Sequence, residues 1–405
     1  MTGDPSCAFK AAGHARLLKL SRRLRNGLST GVIGLCTFIA TPLAAQQAGT
    51  TPRTTIEVSK LGPQVGQTVP DFSLSDQTGK VWTRRSIMGP KGALLLFYRS
   101  ADWCPYCKTQ LIDLQSRLGE LRAKGLGVAA ISYDPVPTLA EFATRKQITF
   151  PLLSDVGSAT IKAFGILNPM PEMAFGPDKD DPAVVAELQK YVSGGRTNPS
   201  WVGIAFPGTF ILDPQGKVVS RFFEDYYVER ATFSNILLRL DGGAAPVTAT
   251  KISGTHVDIT TYPSDTSVAA GNRFSLAVNV VPHAGVHVYA PGASGYRVIS
   301  VTVKPQPFVR ILPPTYPKSE IYFFKPLNER VPVFQKPFTL TQELVLEGTS
   351  AAQAALRGKE SLTIEGSLDY QACDDKVCFN PVSVPLTWTM RLKALVTERA
   401  PQRQP

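Results

Sequence analysis

Between residues 92 and 133 the chain reads apolar, then amphipathic, then apolar again. "GALLLFYRS" (92–100) is a continuous apolar run that fits a strand buried on both faces. "LIDLQSRLGELRAKG" (111–125) sets Leu111, Leu114, Leu118 and Leu121 three and four residues apart, one face of a helix, and Gly125 supplies a stop. "LGVAAISY" (126–133) is a second strand, broken by Asp134-Pro135. A helix over about 136–147 and the strand "ITFPLLS" (148–154) follow. Strand, helix, strand in this order predicts a right-handed βαβ unit on a parallel sheet. "GTFILD" (208–213), a Pro-Gln-Gly turn and "KVVSRFF" (217–223) predict a hairpin, and a last helix runs to about 240. Residues 168–200 gather Pro, Gly and charge around one short helical piece (182–192) and read as a surface insertion.

Past "DGGAAPVTAT" (241–250) the helical signal nearly vanishes. "RFSLAVNVV", "VISVTVK", "FTLTQELVL", "SLTIEGSLDY" and "VSVPLTWTM" alternate with period two and are separated by turn residues. Seven or eight such strands predict an antiparallel, immunoglobulin-like sandwich. The fold class expected is therefore an α/β domain followed by an all-β sandwich. A chain of 405 residues that is 43% hydrophobic can fill two such cores.

The first residues belong to neither pattern. Lys10, Arg16, Lys19, Arg22, Arg23 and Arg25 stand against a single acid, Asp4, and are followed by the short apolar run "GVIGLCTFIATPLAA" (31–45). This is the layout of a secretory signal peptide with cleavage expected after Ala45, which would place the protein in the periplasm or outside the cell; the alternative is an uncleaved N-terminal anchor helix. The segment holds five of the chain's +11 formal charges, which leaves about +6 in no run or stripe. Nothing in that residue points to a nucleic-acid partner. Once the signal is removed, no run is long enough to span a membrane. The domain limits expected are 1–45 signal, 46–66 linker, 67–240 first domain with the insertion 168–200, 241–254 linker, 255–392 sandwich and 393–405 tail.

Cys7 and Cys36 leave with the signal, so the exported part keeps two close pairs, Cys104/Cys107 and Cys373/Cys378. An oxidising compartment lets both form disulfides. Cys104 falls where a buried strand hands over to a helix, and a helix N-terminus favours thiolate over thiol. Lys108 adds a positive charge one residue after the pair, and Pro105 fits the first helical turn. Two thiols so placed make an exchange centre. A zinc site would need further ligands from Cys373, Cys378, His256, His283 or His287, all in the other domain; neither a metal nor another cofactor is expected.

"VGQTVPDFSLSDQTGK", "LLLFYRSADWCPYCKTQL" and "FPGTFILDPQGKVV" resemble the redoxin branch of the thioredoxin fold, which includes the alkyl hydroperoxide reductase/thiol-specific antioxidant proteins and the TlpA-like disulfide reductases. The resemblance covers about residues 65–240 and implies a thioredoxin-like first domain. In the reductases a cis-proline faces the CxxC; Pro207 matches it, and Trp103 accompanies the motif as a supporting residue. The peroxiredoxin pattern P-x-x-x-T-x-x-C would give Cys107 the peroxidatic position, with Cys104 at the threonine and Ser100 at the proline. A peroxiredoxin also supports its thiolate with an arginine just before the "GxF" strand, where this chain has Pro207.

"LDYQACDDKVCFNPVSVPL" (368–386) places Cys373 and Cys378 where a hairpin would join them. Tyr370, Gln371 and the two cysteines, with "KSEIY" (318–322), resemble the periplasmic N-terminal domain of the disulfide-interchange protein DsbD over roughly 255–392. That resemblance implies a redox-active pair passing electrons to exported clients, with Tyr316 near the position of the cap over the disulfide. The expected function is an exported thiol–disulfide oxidoreductase. Cys104 attacks a client or partner disulfide, Cys107 resolves it, and Cys373 and Cys378 form a second pair exchanging with the first or with clients. Its partners would be exported protein thiols and a separate upstream reductant. The alternatives are a thiol peroxidase acting on hydroperoxides, and a binding module with two structural disulfides.

Overall fold

The computed structural model describes residues 56–191, 198–224, 226–241, 248–324 and 328–399. The expected signal segment, 1–45, lies outside them. The first domain contains β1 (Ser73–Ser75), β2 (Val81–Thr83), β3 (Ala93–Phe97), α1 (Pro105–Ala123), β4 (Gly127–Ser132), α2 (Val136–Lys146), β5 (Leu152–Ser154), α3 (Ala159–Ala163), α4 (Met170–Phe175), α5 (Pro182–Tyr191), β6 (Gly208–Leu212), β7 (Val218–Phe223), β8 (Arg230–Ala231) and α6 (Phe233–Asp241). Its sheet runs β2-β1-β5-β4-β3-β6-β7 among the described residues. β3 pairs with β4 in parallel and with β6 antiparallel, so the chain order reverses at β3. Crevices beyond the carboxyl ends of strands at such a reversal are where α/β sheets place their sites.

β3 is buried throughout because both faces are covered. Leu94 and Leu96 join the core under α1 and α2, while Leu95 and Phe97 join the core on the other face. α1 buries Leu111, Leu114, Leu118 and Leu121, as the spacing predicts, and stops at Gly125, whose φ of 80° is the left-handed conformation glycine adopts freely. Residues 56–66, expected as linker, are part of this domain. Val58 is buried, and Arg221 donates to the carbonyls of Pro63 (3.2 Å) and Val58 (3.4 Å).

The second domain contains β9 (Thr250–Ser253), β10 (Val257–Pro263), β11 (Ser267–Val268), β12 (Asn272–Pro282), β13 (His287–Tyr289), β14 (Ser300–Val303), β15 (Val309–Ile311), β16 (Glu320–Phe324), β17 (Glu329–Phe334), β18 (Phe338–Leu346), α7 (Ser350–Leu356), β19 (Ser361–Tyr370), β20 (Ala372–Cys373) and β21 (Val382–Leu392). Sheet β15-β18-β12-β10-β9 faces sheet β11-β21-β19-β14 across a core that includes Phe274, Leu276, Ile364 and Trp388. A third sheet, β16-β17-β13-β20, carries Cys373 on β20. α7, capped by Thr349 accepting from Ala352 N–H at 3.1 Å, escaped the sequence reading because it is only seven residues long.

Two features outside the expected linker, 241–254, join the domains. β8 pairs in parallel with the start of β12, Arg230 opposite Asn272 and Ala231 opposite Arg273. An ionic network surrounds the pairing: Arg273 reaches Glu224 at 3.0 Å and Glu343 at 2.8 Å, and Arg310 pairs with Glu229. Residues 393–399, expected as a tail, lie along α1. Val396 N–H donates to Thr109 Oγ1 at 3.0 Å, and Glu398 pairs with Lys146 at 2.7 Å. Among the described residues, no helix is long and apolar enough to cross a membrane.

Candidate active site

β3 ends at Phe97, and residues 98–104 carry the chain to the first turn of α1. One buried carboxylate anchors that passage. Asp134, just past β4, accepts from Ser100 Oγ (2.8 Å), from Ala101 N–H (2.7 Å) and from Ser132 Oγ (2.9 Å). Ser100 Oγ in turn accepts the N–H of Asp102 at 3.0 Å. Burial pushes the Asp134 carboxyl up to about 6, against the pull of these donors. Ser100, which replaces the proline of the peroxiredoxin pattern, therefore links the carboxylate to the cysteine loop.

Cys104 is the N-cap of α1, and its sulfur accepts the N–H of Cys107 at 3.3 Å; Pro105 occupies the first turn, where its missing N–H costs nothing. Cys104 and Cys107 are disulfide-bonded with Cα atoms 5.3 Å apart. Both are 0% exposed. Trp103, Tyr106, Tyr226, Tyr227 and Val228 pack in the same cluster. Trp103 stacks on Trp201 with centroids 4.8 Å apart and donates through Nε1 to the Tyr133 hydroxyl at 2.9 Å. The Arg99 guanidinium lies over Trp103 at 4.7 Å and over Tyr227 at 4.9 Å. Trp201 follows directly on the 168–200 insertion and covers Trp103, which packs in the cluster of the dithiol.

A positive charge does reach the pair, but not from the expected residue. Arg230, on β8, is buried and donates from Nη2 to Cys107 Sγ at 3.3 Å. Its Nη1 donates to the Tyr227 carbonyl at 2.8 Å, which fixes the direction of the fork. A guanidinium in hydrogen-bond contact stabilises thiolate over thiol once the disulfide is opened. Lys108, to which the sequence assigned this role, points away. Its ammonium donates to the carbonyls of Asp102 (2.7 Å) and Glu398, and burial lowers its pKa. One residue after Cys107 on a helix, Lys108 is rotated about 100° from the sulfur, which explains the difference. Pro207 is buried one residue before β6, whose Gly208 pairs with Phe97, so it sits at the end of the sheet from which the cysteine loop leaves.

Cys373 and Cys378 form a second disulfide, Cα atoms 4.1 Å apart, across a tight hairpin. Cys373 is buried and Cys378 exposed. The Tyr289 hydroxyl lies 3.0 Å from Cys373 Sγ and 3.2 Å from Cys378 Sγ. Tyr289 stacks on Tyr296 at 4.0 Å, and Tyr322 packs in the same cluster. The aromatic shell of this disulfide is therefore Tyr289, Tyr296 and Tyr322. Tyr316, expected as its cap, packs instead against the main sandwich core, and Tyr370 is wholly buried in that core. Gln371 ties the hairpin down, donating to the Phe379 carbonyl at 3.1 Å.

The two disulfides stand at opposite ends of the sandwich. β12 begins at Asn272, paired with the Arg230 that touches Cys107. It ends at Pro282, paired with Val257; next to that pair, His256 stacks at 3.8 Å on Phe379, the neighbour of Cys378. Eleven strand residues separate the two by on the order of 30 Å. In this arrangement the second pair does not touch the first.

Residues 65–221 match the AhpC/TSA family, and residues 261–385 match "Thiol:disulfide interchange protein DsbD, N-terminal". Alkyl hydroperoxide reductase E of Mycobacterium tuberculosis is 39% identical over 106 residues, which are 26% of this chain and 69% of that protein. The chain belongs to the AhpC/TSA family. It is a thiol-dependent oxidoreductase, a redoxin of the thioredoxin fold joined to a DsbD N-terminal-like domain. Peroxiredoxin Bcp of Escherichia coli is 33% identical over 103 residues, 25% of this chain and 65% of that protein. The solved Peroxidoxin BcpB of Mycobacterium tuberculosis aligns at 24% identity and a TM-score of 0.31, covering 40% of this chain and 88% of that one. Arg230 lies between the two matched spans, in neither.

Proposed function

We propose that this chain is an exported thiol peroxidase in which Cys107 reacts with a small hydroperoxide and Cys104 resolves it. The observation that carries this reading is the Arg230 guanidinium on Cys107 Sγ, which directs the stabilising charge to Cys107 and not to Cys104. Complete burial of both sulfurs supports it too, because a small peroxide enters a closed site more readily than a folded client protein does. The Cys107 thiol gives its proton to solvent, the thiolate attacks the hydroxyl oxygen of the peroxide, the O–O bond breaks to give a sulfenic acid, and the departing alkoxide (or hydroxide) takes up a proton from solvent and leaves as alcohol (or water). The Cys104 thiol then condenses with it, forming the disulfide and releasing water. A dithiol reductant supplies the two electrons that reopen it.

Relatives named as alkyl hydroperoxide reductase and peroxiredoxin support this over attack by Cys104 on client disulfides. The far pair, with its exposed Cys378, suits exchange with other thiol proteins, and two resting disulfides suit an oxidising compartment. The test uses the full chain carrying Cys104→Ser, reduced and given one equivalent of hydrogen peroxide. The expected product is a dimedone adduct on Cys107, found by mass spectrometry. Peroxide left unconsumed, with a mixed disulfide to an exported protein trapped in Cys107→Ser, would overturn the reading in favour of client exchange.

A further inference from the structure

We propose that the sandwich domain is a working part of the dithiol site: its Gly271/Gly348 seat positions both Arg230 and the tyrosine between the two cysteines, so Cys107 has its full reactivity only while that seat is engaged. The inference rests on the reading of Cys107 as the reacting cysteine.

Tyr106 leaves the first turn of α1 and enters the sandwich. Its hydroxyl donates to the Gly348 carbonyl at 2.6 Å and accepts from Gln353 Nε2 at 2.7 Å. The ring lies against two glycines that leave it no spare room. A Cβ on Gly348 would fall 3.2 Å from the Tyr106 ring and 2.7 Å from Val228 Cγ2. A Cβ on Gly271 would fall 2.4 Å from the Val228 carbonyl oxygen and 2.9 Å from the ring, and Gly271 has a φ of 85° that side chains resist. Val228 is two residues before Arg230.

Arg230 itself is held by the same strand end. Its N–H donates to the Gly271 carbonyl at 2.8 Å, and Thr232 N–H donates to Arg273 O at 3.0 Å. β8 is only two residues long and has its ladder partner in β12. A strand this short has no independent stability, so its path is set by the sheet it joins. The sandwich thus grips the site on both sides of Cys107, through the residue before it in α1 and through the arginine that donates to its sulfur. The sandwich partners of both grips, Gly271 and Gly348, lie outside the 65–221 redoxin span. With the second disulfide on the order of 30 Å away, the contribution of the sandwich to the CPYC centre within this chain is geometric.

The test measures Cys107 alone, by alkylation rate against pH in reduced full-length protein carrying Cys104→Ser. Four proteins are compared: that background, and the background with Arg230→Gln, with Gly348→Ala or with Tyr106→Phe. Circular dichroism and melting temperature report folding, and dimedone labelling reports peroxide reaction. The expected result is that Gly348→Ala moves the pH midpoint upward in the same direction as Arg230→Gln, with the rate at pH 7 falling at least about threefold while the fold is kept. Tyr106→Phe, which keeps the ring and loses two hydrogen bonds, should give a smaller shift of the same sign. If Arg230→Gln shifts the midpoint but Gly348→Ala and Tyr106→Phe change only melting, the seat is merely structural and the proposal fails while the peroxidase reading stands. If Cys107 takes no dimedone in any protein, the underlying reading fails.

Discussion

Arg230 and Cys107 are 123 residues apart in the chain and meet at 3.3 Å inside the protein. In the proposed mechanism this contact favours the anion on Cys107. Replacing Arg230 by Gln keeps much of the side-chain volume and removes the charge. Reaction of reduced Cys107 with hydrogen peroxide at pH 7 should slow about tenfold or more, with part of the rate returning in Arg230→Lys. Stopped-flow tryptophan fluorescence would check this, and an unchanged rate in Arg230→Gln would remove the guanidinium from the mechanism.

Cys373 and Cys378 should be dispensable for the first turnover. They lie on the order of 30 Å from the CPYC centre along β12. Reduced protein carrying Cys373→Ser and Cys378→Ser should therefore consume its first equivalent of peroxide at the wild-type rate. A large drop in that rate would mean that the domains rearrange to bring the pairs together.

Access should set the order in which the disulfides open. Cys378 is exposed, whereas Cys104 and Cys107 are both 0% exposed. A limiting dithiol should reduce Cys373–Cys378 first, because exchange requires in-line approach to a sulfur. Quenching with an alkylating agent and mapping labelled peptides over time checks the order.

Trp201 should control entry to the first pair. It stacks on Trp103 at 4.8 Å and comes from the insertion, away from the core. Trp201→Ala should raise the rate at which a bulky maleimide labels the reduced dithiol severalfold, while iodoacetamide, being small, gains less. Equal gains for both reagents would argue against a roof at this position.

Two buried aspartates should give stability an unusual pH dependence. Burial pushes Asp134 and Asp265 up to about 6 from an ordinary 3.8, and Asp265 sits between the domains accepting from Thr232 at 2.7 Å. The folded state therefore binds protons more tightly than the unfolded one. Their contribution to stability is full below about pH 4 and is lost as pH rises through 4 to 6. Wild type measured against Asp265→Asn by urea unfolding should lose roughly 2–3 kcal/mol between pH 4 and pH 7. Asp134→Ala should cost about 2–4 kcal/mol at pH 4, because it leaves the Ala101 N–H buried without its acceptor, and less at pH 7, where the wild type has already lost the contribution of the protonated carboxyl.

Much of the fold could be read from local pattern. The leucine spacing of α1, the apolar runs of β3 and β4 and the alternation of β12, β18, β19 and β21 are each set by neighbours within a few residues, and the structure follows them. The two cysteine pairs were legible for the same reason: each is closed by a single turn of helix or hairpin. Lys108 was misjudged because adjacency along a helix is not adjacency in space, and Tyr316 because its segment packs on a different face of the sandwich. Arg230, Asp134, Trp201 and Tyr289 carried no signal of their own; each acquires its meaning from a partner between 33 and 123 residues distant.

From the order of residues alone follow a strand, a cysteine at a helix start, a partner one turn on, and a second pair in a hairpin. These depend on short-range backbone sterics and on hydrophobic periodicity, which act within a few residues. Only the tertiary structure decided which sulfur meets a guanidinium, that both sulfurs of the first pair are closed off from solvent, and that the two disulfides lie near opposite ends of β12. Those outcomes depend on where β8 joins β12 and how Tyr106 seats on Gly271 and Gly348, contacts made by packing across domains that no local spacing encodes.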